Sequence, residues 1–184
     1  MNSQETGVRS ILGSLGPASM STCTETLDLK AEASAAGDSR RFVRRVCSSW
    51  ALAAERIDTA ALLVSELVTN AVEAPVASAC AGLQVIGVRV VEREDSFVIE
   101  VWDTSPRPPR LIEPAEDSAG GRGLLLVNAL SIRWGYCDAG TGSKVVWCEL
   151  SRAGAPDAIP HDKPAADERK ITGALEHQFW SEQV

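Results

Sequence analysis

Apolar residues recur at helical spacing in one stretch more clearly than anywhere else in the chain. From Leu62 to Pro75 the sequence runs LLVSELVTNAVEAP, with Leu63, Val64, Leu67, Val68, Ala71 and Val72 on one stripe. Positions three and four apart share a face of an α-helix, so the stripe predicts a helix packed on a core. Asp58 is expected to cap its start. Pro75 is expected to end it, because an interior proline removes a hydrogen bond and clashes with the preceding turn. Upstream, Phe42, Val43, Val46 and Trp50 form the apolar face of an earlier helix, from an N-cap at Asp38 to about Ala53. Arg40, Arg41, Arg44 and Arg45 cover its other side. They read as a solvated face or as a docking patch for an acidic partner.

Elsewhere the period is two. Cys23 to Leu29 alternates and predicts a short strand. Leu83 to Glu92 and Ser96 to Trp102 are rich in Val and Ile, and Arg93-Glu94-Asp95 joins them as a hairpin turn. From Asp103 to Gly120 the pattern stops at Pro106, Pro108, Pro109 and Pro114, which reads as a lid-like loop. Gly121-Arg122-Gly123 then leads into a short apolar helix, LLLVNAL. Ile132 to Tyr136 and Lys144 to Leu150 predict two more strands, joined by a turn around Asp138 to Gly142. Trp102, Trp134 and Trp147 fall at strand positions and read as packing residues. This order predicts an α+β fold: a two-layer sandwich of a mainly antiparallel sheet with helices on one face. Residues 1–21 read as a flexible leader, 22–151 as the domain and 152–184 as a mostly disordered tail. Within the tail, Leu175, Phe179 and Trp180 have the spacing to dock as a short amphipathic turn.

Composition narrows the function. The 184 residues carry a net charge of -7, which argues against nucleic acid as a direct partner. No apolar run has membrane-spanning length, and the N-terminus lacks the basic-then-apolar form of a signal peptide, so no membrane association and a cytoplasmic location are expected. Cys23, Cys47, Cys80, Cys137 and Cys148 are an odd set without a CxxC pair and read as reduced thiols. Both histidines, His161 and His177, lie in the tail. The domain therefore has no histidine general base, no Ser-His-Asp triad and no phospho-accepting histidine.

Two polar residues interrupt the apolar stripe. Glu66 and Asn70 stand one helical turn apart on one face, and burying such groups unpaired is costly. They read as facing a nucleotide and its metal ion. Asp103 ends a strand where the long loop begins, and Gly121 and Gly123 stand at a helix start. Each feature alone is weak. Together, ELVTNAV (66–72), VWDTSPRPPR (101–110) and GGRGLLLVNALSIRWG (120–135) resemble the GHKL superfamily of histidine kinase-like ATP-binding domains. Within it, the chain looks most like the anti-sigma-factor serine/threonine kinase branch.

That resemblance implies the roles. Asn70 would help hold Mg²⁺ between the phosphates, an oxygen donor suited to a hard cation. Glu66 would be the general base for an attacking serine hydroxyl. Asp103 would accept a hydrogen bond from the adenine amino group. Gly121 and Gly123 would let backbone N–H groups reach the phosphates at a helix N-terminus, with Leu124 among the phosphate-site residues, and Arg122 reads as reaching phosphate or as a surface salt bridge. The implied cofactors are ATP and Mg²⁺. The implied partners are an anti-anti-sigma protein, a sigma factor or both, with a homodimer as the oligomer. Two departures stand out. Glu73-Ala74-Pro75 replaces a basic residue followed by His-Ala, and Lys144-Val145-Val146 replaces Lys-Thr-Val. The lost threonine hydroxyl would normally support the adenine-binding Asp, so a water or Ser143 is expected to substitute. These departures leave open a catalytically silent, ATP-dependent protein-interaction switch.

Overall fold

The computed structural model describes residues 23–75, 84–105, 107–109, 123–140 and 142–153. The expected leader, most of the tail and lid, and Gly121 and Arg122 lie outside the described residues. Eight elements follow in order: β1 (Thr24–Lys30), α1 (Ala35–Ser49), α2 (Ala54–Glu73), β2 (Val85–Glu92), β3 (Ser96–Asp103), α3 (Gly123–Leu130), β4 (Arg133–Gly140) and β5 (Ser143–Ser151). The strands form one antiparallel sheet in the order β1-β2-β3-β5-β4. The expected two-layer α+β sandwich is what the chain forms.

The apolar stripe of α2 is the centre of the core. Leu63, Val64, Leu67 and Val68 are at most 2% exposed. Each such side chain contributes about 1.5–3 kcal/mol by leaving water. They join Phe42, Val43 and Val46 of α1 and one face of the sheet, where Val88, Ile99, Val101, Val146 and Cys148 point inward. α3 adds Leu124 and Val127. Trp134 belongs to this core, whereas Trp102 and Trp147 occupy the alternating positions on the other sheet face. There Arg89 donates to Glu100 at 2.5 Å and its guanidinium lies 4.8 Å from the Trp102 ring.

Both expected helix caps are displaced. α1 begins at Ala35 behind Ser34, so Asp38 stands in its first turn and pairs with Arg41. α2 begins at Ala54, and Asp58 lies one turn inside it, paired with Arg44 at 2.7 Å. In each case the residues before the aspartate continue the helix upstream. The α1 end is also earlier than expected. Ala51 has φ 55°, with Ala51 N–H donating to Ser48 O and Leu52 N–H to Cys47 O. That bonding is a Schellman closure, which satisfies the last carbonyls through one left-handed residue.

Pro75 acts as expected: α2 ends at Glu73, and Ala74 is extended at ψ 134°. The residue before a proline is pushed out of the helical region. Strand ends differ from expectation by one or two residues, except in β4. That strand runs on to Gly140 through a register shift between Asp138 and Gly140, where a turn was expected. Among the described residues, no helix is long and apolar enough to cross a membrane.

Candidate functional site

A cleft of about 590 Å³ opens where the C-terminal end of α2, the end of β3, the start of α3 and the start of β5 meet. Asn70 and Glu73 line it from α2, Pro75 from just past its end, Asp103 and Ser105 from β3 and beyond, Gly123 and Leu124 from α3, and Lys144 from β5. The sequence brings these ends together for clear reasons. The α2 stripe fixes that helix on the sheet, Pro75 stops it at the cleft, and the proline-rich run ends β3 beside it.

The expected residues fall in three places. Asn70 and Gly123 both line the cleft. Glu66 lies behind Gly123: a Cβ placed on Gly123 would stand 2.7 Å from Glu66 Oε2 and 3.4 Å from Asn70 Nδ2. The glycine is therefore the space into which both polar side chains of α2 fit. Gly123 also opens α3, where N–H groups without helical partners and the helix dipole favour an anion. Leu124 is buried and lines the cleft with its apolar side chain.

Asp103 is buried at 5% exposure. Its Oδ1 accepts hydrogen bonds from Lys144 Nζ at 2.7 Å and from the Ser105 N–H at 2.8 Å. Lys144 Nζ also reaches the Ser105 carbonyl oxygen at 3.4 Å. Burial pushes the Asp103 carboxyl above its ordinary value of 3.8, against the pull of Lys144 and of the Ser105 amide.

Lys144 was not among the expected site residues. It stands directly opposite Asp103 in the β3–β5 register, whereas Val145 pairs with Trp102. Paired residues share a sheet face, so position 145 points away from the side that holds Asp103. The expectation that a water or Ser143 must replace a lost hydroxyl there is thereby corrected: the partner of Asp103 is the Lys144 ammonium. The signal was in the sequence, but only as a lysine at the start of a strand whose pairing partner is not its neighbour in the chain.

The four arginines of α1 are all engaged. Arg40 donates to Ser65 Oγ at 2.6 Å, tying α1 to the residue before Glu66. Arg41 pairs with Asp38, Arg44 with Asp58 and Arg45 with Glu25. This pairing favours the solvated-face reading over a free docking patch.

The chain is a helix-backed antiparallel sheet, an α+β sandwich, with a polar cleft that brings a buried aspartate near a glycine at a helix start. The model of the histidine kinase-like ATPase domain family matches residues 29–148, and the chain belongs to that family. Among solved structures, the fold is similar to the RsbU and RsbW domains of Rv1364c from Mycobacterium tuberculosis. The similarity has a TM-score of 0.50 and 19% identity, covering 74% of this chain and 35% of that one. The chain thus spans about a third of that protein's length. No curated protein matches the chain.

Proposed function

We propose that the domain is an ATP-binding regulator in the cytoplasm that transfers the γ-phosphate of ATP to a serine of an anti-anti-sigma partner, and so controls a sigma factor. The observation that carries this reading is the meeting of Glu66, Asn70 and Gly123 beside a cleft that also holds Asp103. Family membership supports ATP as the ligand. The ELVTNAV and GGRGL motifs support the anti-sigma kinase branch, and with it a homodimer.

In this reading Asp103 receives the amino group of adenine, and the start of α3 receives the phosphates. The residues present fit Mg²⁺: Asn70 supplies one amide oxygen, and the phosphates and waters would complete the shell. Bound there, the ion would neutralise phosphate charge during transfer. Glu66 takes the proton of the attacking serine hydroxyl as its Oγ bonds to the γ-phosphorus, and the bond to the β-phosphate oxygen breaks to release ADP. The test measures calorimetric Mg-ATP binding and transfer of labelled phosphate for three proteins. Glu66→Ala is expected to bind ATP and lose ~10²–10⁴ in transfer rate. Asp103→Asn is expected to weaken Mg-ATP binding by roughly 10- to 100-fold while leaving it measurable. Transfer by Glu66→Ala at the wild-type rate overturns the base role, and undiminished binding by Asp103→Asn overturns the adenine role.

A second reading rests on Glu73, which lines the same cleft. A carboxylate there opposes the approach of phosphate. The domain then acts as an ATP-dependent protein-interaction switch without phosphotransfer, a reading that a phosphoserine on its partner would reject.

A further inference from the structure

Lys144 and Asp103 form an ion pair that is buried on both sides, with side-chain exposures of 9% and 5%. Both line the cleft. The two donors to the carboxylate, Lys144 Nζ and the Ser105 N–H, converge on Oδ1. The torsion that turns an aspartate carboxyl is otherwise broad and nearly two-fold. Two donors on one oxygen remove that freedom and leave Oδ2 to meet a ligand.

We propose that Lys144 is the positioning residue that sets base selectivity: by holding Asp103 as an oriented carboxylate, it makes the cleft accept a 6-amino purine and reject a 6-oxo purine. This rests on the adenine reading above and goes beyond it. A 6-amino group donates and needs an acceptor, which an ionised carboxylate is. A 6-oxo group presents its own lone pairs to that carboxylate and is repelled. A protonated carboxyl has an O–H to offer and loses the distinction. Burial drives Asp103 toward that protonated form, and Lys144 opposes it. The other charged side chains lining the cleft among the described residues are Glu73 of α2 and Arg107 beyond β3, both exposed. Neither is a hydrogen-bond partner of Asp103, so the ammonium of Lys144 is the charged group among them that opposes the effect of burial.

ATP and ITP differ at purine position 6 and, with it, in the proton that ITP carries on N1, and they are the probes. Their Mg²⁺ complexes are titrated calorimetrically into the full chain, wild type, Lys144→Met, Asp103→Asn and the double variant, between pH 6 and pH 8.5. Wild type is expected to prefer ATP at every pH. Lys144→Met is expected to lower the ATP:ITP affinity ratio by about tenfold, most at the acid end of that range, where burial favours the protonated carboxyl. In the Asp103→Asn background, removing Lys144 is expected to change the ratio no further, since Lys144 acts through Asp103. Lys144→Gln, neutral and of similar length, carries the same test if Lys144→Met does not fold. Lys144→Arg, which keeps the charge, is expected to keep the preference.

An unchanged ratio in a folded Lys144→Met or Lys144→Gln overturns the proposal. So does a selective loss of ITP binding, which would make Lys144 a direct donor to the 6-oxo group. A wild type that binds neither nucleotide, or an Asp103→Asn variant that binds as wild type does, overturns the adenine reading itself and is read before any Lys144 variant.

Discussion

Replacing Gly123 with alanine tests whether Glu66 works through its position. The added Cβ would lie 2.7 Å from Glu66 Oε2 and 3.3 Å from Glu66 Cβ, both closer than the 3.4 Å at which ordinary contact begins. The carboxylate must retreat by about 0.7 Å, while the backbone that carries it is fixed by buried Leu63 and Leu67. Overpacking costs ~1–3 kcal/mol, here toward the low end because the nearest atom ends a flexible side chain. Gly123 is the first residue of α3, so alanine returns only part of the roughly 1 kcal/mol it gains over glycine in a helix interior. The two effects partly offset, so the melting temperature is expected to stay within about 5 °C of wild type. Catalysis is far less tolerant: a misplacement of roughly 1 Å costs on the order of 10² in rate. The expected variant is therefore folded, binds Mg-ATP with less than a tenfold loss, and transfers phosphate about a hundredfold more slowly. The assays are differential scanning calorimetry, titration calorimetry and single-turnover transfer. Transfer within threefold of wild type in a folded variant would refute the argument that Gly123 sets the place of Glu66.

Three further outcomes follow from other parts of the molecule. Glu73→Gln removes an exposed carboxylate from the cleft and is expected to tighten Mg-ATP binding by about two- to fivefold, with the gain shrinking in 1 M salt as charges are screened. Glu100→Ala leaves the Arg89 guanidinium buried without its partner, and urea unfolding is expected to show a loss of about 3–5 kcal/mol. Burial raises the Glu149 carboxyl, but the Ser96 hydroxyl with Arg133 and Arg93 outweighs it and holds the group below its ordinary 4.5. A depressed carboxylate stabilises the fold above 4.5 and loses that contribution as pH falls through the lower folded value. Glu149→Gln is expected to be less stable than wild type at pH 7, with the gap closing in acid; a gap independent of pH would remove Glu149 from this role.

What could be read in the sequence was whatever local periodicity encodes. The α2 stripe and the Val-rich hairpin announce themselves because burial of one face repeats every three to four residues, or every two. Asn70 and Glu66 were visible for the same reason, as polar interruptions of that repeat. The helix starts were not, because Asp38 and Asp58 have cap chemistry but lie among residues that extend the helix past them. Lys144 was missed for a different reason. Its partner is set by the pairing of β3 with β5, strands separated in the chain by α3 and β4. Short-range pattern says which residues alternate; it does not say which strand lies alongside.

The ion pair between Asp103 and Lys144 joins residues 41 apart in the chain, where β3 ends and β5 begins, with α3 and β4 lying on the stretch between them. It works as a clasp at the neck of an excursion. The entropy of closing such an excursion grows only slowly, by roughly 0.6 kcal/mol for each doubling of its length. Changes in the length of the chain between β3 and α3 therefore cost little stability so long as the clasp and the core packing of α3 and β4 hold. In the proposed reading the base is read at the neck, whereas Gly123 lies on the stretch beyond it. In that reading, the length of the chain between β3 and α3 is free to vary, among relatives or in engineered versions, while the residues that read the base stay in place.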